Sequence, residues 1–176
     1  VSLSSDGNIV AIGAPHNNDQ DLSNVRIYSF NGSSWIGFYI GYIMGSDFGF
    51  SVSLSDDGHR LAVGSPYNNS PNSDQGYVAI YNYDAPWWNR IDSIPGNVSQ
   101  GGGRFGYSVS LSGDGNTVAI GAPNVTNNTG HVRVYHIGSD CAGCTDTLAL
   151  NYDSTVQYND SSCIYPAGCT DAIAYN

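Results

Sequence analysis

One fifteen-residue segment occurs three times in this chain, and that repetition constrains the fold more than any other feature. Val1-Ser-Leu-Ser-Ser-Asp-Gly-Asn-Ile-Val-Ala-Ile-Gly-Ala-Pro15 returns as Val52-Ser-Leu-Ser-Asp-Asp-Gly-His-Arg-Leu-Ala-Val-Gly-Ser-Pro66. It returns again as Val109-Ser-Leu-Ser-Gly-Asp-Gly-Asn-Thr-Val-Ala-Ile-Gly-Ala-Pro123. The starts at 1, 52 and 109 are 51 and 57 residues apart, a period at which one repeat is one supersecondary unit of a propeller or array. Such a unit buries its apolar face only against a neighbouring unit.

Within each copy the pattern is that of strands. In Ser108-Val109-Ser110-Leu111-Ser112 the apolar residues alternate with serine, the period of two that marks a half-buried strand. Asp114-Gly115 supplies a tight hairpin turn, and Thr117-Val-Ala-Ile-Gly121 is the return strand. A third strand follows a polar loop in every copy: Val25-Arg-Ile-Tyr28, Val78-Ala-Ile-Tyr81 and Val132-Arg-Val-Tyr135. A fourth is expected at Ser34–Phe38 and Trp87–Ile91, and copy three has none. No segment sustains a helical apolar period. The expectation is an all-β fold of four-stranded antiparallel blades over residues 1–138, about two and a half blades of a longer propeller. Residues upstream of Val1 are expected to complete the edge near His131–Ile137, because an open strand edge is a liability.

Phe48-Gly-Phe-Ser-Val52 with Gly64-Ser-Pro66, and Phe105-Gly-Tyr-Ser-Val109 with Gly121-Ala-Pro123, resemble the FG-GAP repeat that builds the β-propeller of integrin α-chains. The resemblance implies an extracellular module that binds partners through loops at one end, here 16–24, 67–76 and 124–130, together with the blade connections 93–104. Tyr67, Tyr77, Trp87 and Trp88 are the candidate ligand contacts, with aromatic packing between blades as the alternative role. Calcium-binding FG-GAP hairpins carry several carboxylates. The matching positions here are Ser2, Ser4, Asp6 and Val10; Ser53, Ser55, Asp57 and Leu61; Ser110, Ser112, Asp114 and Val118. One carboxylate per hairpin is too few oxygen ligands for a tight hard-cation site, so no metal and no cofactor is expected in the blades.

Composition changes after Gly138. Gly143-Cys-Thr-Asp-Thr-Leu-Ala-Leu-Asn-Tyr152 recurs as Gly168-Cys-Thr-Asp-Ala-Ile-Ala-Tyr-Asn176, similar to the Gly-Cys-Thr-Asp repeats of secreted microbial surface proteins. Residues 139–176 are therefore expected to form a small cysteine-rich module of one complete and one truncated unit. So small a core needs a staple. Four cysteines allow three pairings; Cys144–Cys163, which closes one unit, is favoured, and the partners of Cys141 and Cys169 stay open. Zinc at Cys141-x-x-Cys144 is the rival reading, without a matching second pair. Asp146, Asp153 and Asp160 leave a weak calcium possibility in this tail.

Charge limits the partners. The basic residues are five arginines, with no lysine, against 15 acidic residues, for a net charge of −10. That balance repels nucleic acid and anionic lipid, and no apolar run is long enough for a helical span. Catalysis has little to draw on. His16, His59, His131 and His136 stand in no motif with a nucleophile or carboxylate, and Gly101-Gly-Gly-Arg104 lacks the lysine and helix of a phosphate loop. Sequons occur at Asn31, Asn68, Asn97, Asn124, Asn127 and Asn159, all outside the expected strands, where glycosylation of a secreted protein requires them. The resulting expectation is a non-enzymatic extracellular surface glycoprotein module for adhesion or ligand binding, with protein or glycan partners or copies of itself. The alternatives are a structural subunit of a filament, coat or appendage and, more weakly, a glycan-binding or glycan-hydrolysing propeller, the last needing two carboxylates across one cleft.

Overall fold

A computed structural model describes residues 1–15, 22–44, 47–67, 75–96, 103–124 and 129–137, with 142–143, 147 and 158–159 in the tail. It divides into two compact units, Val1–Tyr135 and His136–Asn176. Among the described residues there is no helix.

The first unit holds three antiparallel sheets, each a run of sequence-adjacent strands. The first contains β1 (Ser2–Leu3), β2 (Ile9–Ala14), β3 (Leu22–Phe30) and β4 (Trp35–Met44) in that order. The second contains β5 (Ser51–Leu54), β6 (Arg60–Ser65), β7 (Tyr77–Asp84) and β8 (Trp87–Pro95). The third contains β9 (Ser108–Leu111), β10 (Thr117–Ala122) and β11 (His131–His136), with β11 at its edge. In the second unit, β12 (Ala142–Gly143) pairs in parallel with β13 (Tyr158–Asn159).

Register explains which residues are buried. Ala11 pairs with Ile27 and Gly13 with Val25, so these four share one side of the first sheet. That side packs on the side of the second sheet that carries Leu54, Leu61, Val63, Ala79 and Tyr81. Val25, Ile27, Leu61 and Val63 are at most 1% exposed, and burial of each aliphatic chain contributes roughly 1.5–3 kcal/mol. The opposite side of the second sheet carries Ala62 opposite Ile80 and Gly64 opposite Val78; Ala62, Ile80 and Val78 are fully buried.

The Phe-Gly and Gly-Ala/Ser-Pro motifs meet between sheets. Phe48 and Phe105 are buried, each followed by a glycine at φ +89°, a conformation that favours glycine. That geometry turns the carbonyl of Gly49 onto Gly13 and that of Gly106 onto Gly64, so close that a Cβ on Gly13 or Gly64 would overlap it. Ser51 Oγ donates to the Gly106 carbonyl at 2.8 Å. The first strands are tied too: Leu54 N–H donates to Ser2 Oγ at 3.0 Å and Leu111 N–H to Ser53 Oγ at 2.9 Å. Ser5 N–H donates to the Asp56 carbonyl and Asp56 N–H to the Gly113 carbonyl, both at 2.9 Å.

Three readings of the sequence are corrected. The fourth strands are longer than expected, reaching Met44 and Pro95, because the third strands beside them run from Leu22 and Tyr77 and supply pairing along their whole length. Residues 22–24 and 93–95, taken as loop, are accordingly strand. The first hairpin is a wider loop than a bare Asp-Gly turn: Ser4 N–H donates to the Ile9 carbonyl, and Ser4 Oγ reaches Asp6 across it. Asn159, expected in a loop, lies in β13.

Candidate functional site: an aromatic cleft between two sheets

The hairpins joining the third and fourth strands place aromatic residues at one end of the sheets. Phe30 pairs across the ladder with Trp35, and Tyr83 with Trp88. Their ring centroids are 5.3 and 5.4 Å apart, tilted by 44° and 43°, so copies one and two build the same aromatic pair. Phe38 from β4 approaches Tyr83 edge-on at 6.1 Å, and His59 lies against Tyr83 at 5.7 Å.

Between these elements is a cleft of about 210 Å³, lined by Ile9, Ile27, Ser29, Ile36, Phe38, Tyr83 and Trp88. The lining supplies aromatic faces, aliphatic walls and the hydroxyls of Ser29 and Tyr83. It can hold a small apolar or ring-shaped group by stacking and dehydration. Trp35 and Trp87, 50% and 70% exposed, stand on the same hairpins.

The four expected ligand contacts separate. Trp88 lines the cleft and Trp87 is exposed beside it in sequence. Tyr67 is occupied elsewhere: Phe50 packs edge-on at 5.8 Å, and the Arg104 guanidinium lies 4.9 Å above its ring, a cation–π contact. Tyr77 is a packing residue stacked on Phe48 at 6.5 Å. Its burial, reinforced by the neighbouring Tyr81, pushes its hydroxyl pKa up to about 12. Phe38 and Tyr83 were missed from the sequence, although the paired aromatics of copies one and two were a signal for Tyr83.

The hairpin carboxylates are engaged by the chain itself. Asp6 accepts from the Ser4 hydroxyl at 2.6 Å, from Asn8 N–H at 2.9 Å and from Asn8 Nδ2 at 2.8 Å. These donors, Ser4 first, hold its pKa below 3.8. Asp57 is partly desolvated, which opposes ionisation. The Ser55 hydroxyl, His59 N–H and the charges of His59 and Arg60 outweigh that and lower its pKa too. Ser112 and Asp114 repeat the arrangement. Among the described residues no three His, Cys, Asp or Glu side chains gather closely enough to hold a metal.

Of the sequons, Asn31 is exposed in the β3–β4 hairpin, its Oδ1 accepting from Ser33 and Ser34 N–H at 3.0 and 2.9 Å. Asn124 is half-buried in a turn. Asn68, Asn97 and Asn127 lie outside the described residues, as do Cys141, Cys144, Cys163, Cys169, Asp146, Asp153, Asp160 and His16. His59 is exposed beside Asp57, at 3.5 Å, and His131 is half-buried at the ladder position that Asn24 and Tyr77 hold in the earlier copies.

No protein-family model matches the sequence, and no curated protein matches it significantly. Among solved structures, the chain is similar to part of a mitotic checkpoint complex, with 15% identity and a TM-score of 0.40 over 72% of this chain. It is also similar to a candidate 6-phosphogluconolactonase from Bacteroides uniformis, with 18% identity and a TM-score of 0.43 over 77% of this chain. It spans 36% and 40% of the lengths of those two chains. Likenesses at this level carry no argument about activity. Among the described residues no helix is long and apolar enough to cross a membrane.

Proposed function

We propose that the chain is a non-catalytic extracellular binding module, acting in adhesion through the hairpin end of its sheets. The observation that carries this reading is the cleft lining: Phe38, Tyr83 and Trp88 offer aromatic faces, and Ser29 and Tyr83 offer hydroxyls. Such a surface recognises a flat or ring-shaped group by stacking, and none of the seven lining side chains is a carboxylate, imidazole or thiol. The FG-GAP resemblance and the sequons support placing it at a cell surface.

A panel of soluble and arrayed glycans and peptides, read by tryptophan fluorescence and by product analysis, tests the proposal. A ligand that quenches fluorescence, loses affinity at least tenfold on Trp88→Ala and is recovered unchanged supports it. Turnover of any panel member by the purified chain would overturn the non-catalytic assignment. Ligand binding indifferent to Trp88→Ala and Phe38→Ala would overturn the cleft as its site.

A further inference from the structure

No charged side chain lines the cleft between the first two sheets, yet acidic side chains stand around it. Its isoleucines and Phe38 carry no hydrogen-bonding group, and Ile36 is left 47% exposed. Sugar hydroxyls pressed against such walls lose water without gaining a partner, which costs affinity. An aromatic side chain gives up only apolar surface there and gains ring contacts from Phe38, Tyr83 and Trp88. Tyr83 and Trp88 are tilted by 43° and Phe38 meets Tyr83 at 64°, so the three rings present faces in different directions to one occupant.

The acidic residues border this cleft through the hairpins. Gly58 lies so close to Ile9 that a Cβ on it would overlap the Ile9 side chain, which sets the Asp56–Gly58 turn beside a lining residue. The His59 carbonyl accepts the Tyr83 N–H at 2.8 Å, and the His59 ring contacts Asp57 at 3.5 Å and Tyr83 at 5.7 Å. Asp84 follows Tyr83 in β7. Main-chain bonds from Ser5 to Asp56 and from Asp56 to Gly113 tie the first hairpins of all three copies into one row. Asp6, Asp56, Asp57, Asp84 and Asp114 are exposed along this end. Of the cations nearby, Arg60 is held by the Gly115 carbonyl and Asn116 Oδ1 at 3.2 and 3.1 Å. Arg90 stands opposite Tyr81, two ladder positions beyond the Tyr83–Trp88 pair. The whole chain, at a net charge of −10, adds a field of the same sign.

On the reading of the cleft as a binding site, we propose that its occupant is a Phe or Tyr side chain of a partner protein's basic segment, with Lys or Arg on both sides of that residue. The ring fills the cleft, and the flanking cations lie along the aspartate row. A small aromatic molecule would use the cleft alone. The row runs past it to Asp114 in the third copy, which suits a ligand several residues long. Each exposed cation–carboxylate contact is weak by itself. Together they speed encounter and select against acidic segments, while the buried ring supplies most of the hold.

Isothermal titration calorimetry of the 176-residue chain with acetylated, amidated pentapeptides tests it. The probes are Lys-Arg-Phe-Arg-Lys, Lys-Arg-Ala-Arg-Lys and Glu-Asp-Phe-Asp-Glu. The first is expected to bind about tenfold tighter than either of the others. Trp88→Ala is expected to weaken it about tenfold. Asp57→Asn/Asp84→Asn is expected to weaken it about threefold and to reduce its salt dependence between roughly 50 and 500 mM. Asn at position 57 can still accept from Ser55 and His59 N–H, and circular dichroism checks that each variant keeps the β spectrum. Equal binding of the Phe and Ala peptides would leave charge attraction alone, and equal binding of the basic and acidic Phe peptides would remove the aspartate row; either overturns the proposal. So does a basic Phe peptide that fails to bind up to on the order of 1 mM. A glycan held at Trp88 while this peptide is not would overturn the basic-segment proposal and keep the cleft as a site.

Discussion

Gly64 lies against the backbone carbonyl of Gly106, and a single methyl group on Gly64 would overlap that oxygen. The obstacle is main chain pinned by Ser51 Oγ, so it cannot swing aside. Gly64→Ala is expected to destabilise the first unit by about 1–3 kcal/mol through overpacking. Gly121→Ala, at the same position of the third copy, meets only the Ser108 side chain as a close neighbour and is expected to cost less. Thermal melting of the two variants side by side checks the ranking; equal losses would contradict this account of the glycine.

Phe48 is fully buried, packed on Tyr77 and Tyr81 at 6.5 and 6.3 Å. Phe50, two residues on, is 36% exposed. Phe48→Ala is expected to cost about 3–5 kcal/mol and Phe50→Ala clearly less. Urea unfolding monitored by circular dichroism separates the two.

Asp57 has a folded pKa below its ordinary 3.8, so its ionised form stabilises the fold above that value. The contribution is lost as pH falls through the lower folded value. The first unit is therefore expected to lose stability progressively below about pH 4. Ser55 is 1% exposed and its hydroxyl both donates to Asp57 and accepts from Arg60 N–H at 2.9 Å. Ser55→Ala should flatten the acid limb and cost about 1 kcal/mol or more at neutral pH. An acid limb unchanged by the substitution would remove Ser55 as its cause.

Tyr77 is shifted the other way. With an ordinary pKa of 10.0 and a folded value of about 12, its neutral form favours the folded state, fully so below pH 10. That contribution disappears as pH rises toward 12. Ultraviolet titration of tyrosinate should show delayed ionisation of Tyr77 and of Tyr81, which burial also raises, and Tyr77→Phe should remove the later part of that delayed fraction.

Strand order and approximate strand position were legible in the sequence because both depend on local chemistry. Alternation of Val and Leu with Ser fixes which side chains share a face, and Asp-Gly places the hairpin turns. The Ser4–Asp6 bridge that widens those turns left no such signal, since a hydroxyl–carboxylate contact depends on the backbone path between them. The lengths of β4 and β8 were decided by the pairing partners β3 and β7, not by their own mixed polar and apolar residues. The cleft depended on tertiary structure entirely, for Phe38 and Trp88 come from different repeats and meet only when two sheets stack. The sequence by itself determined that there are three copies of a β unit, whose first strand alternates Val and Leu with Ser. Which sides are covered was decided by packing: Val78 and Val132 stand in the same motif, yet one is fully buried and the other 69% exposed, because burial belongs to a pair of surfaces and, among the described residues, only the sheet of Val78 is covered on that side.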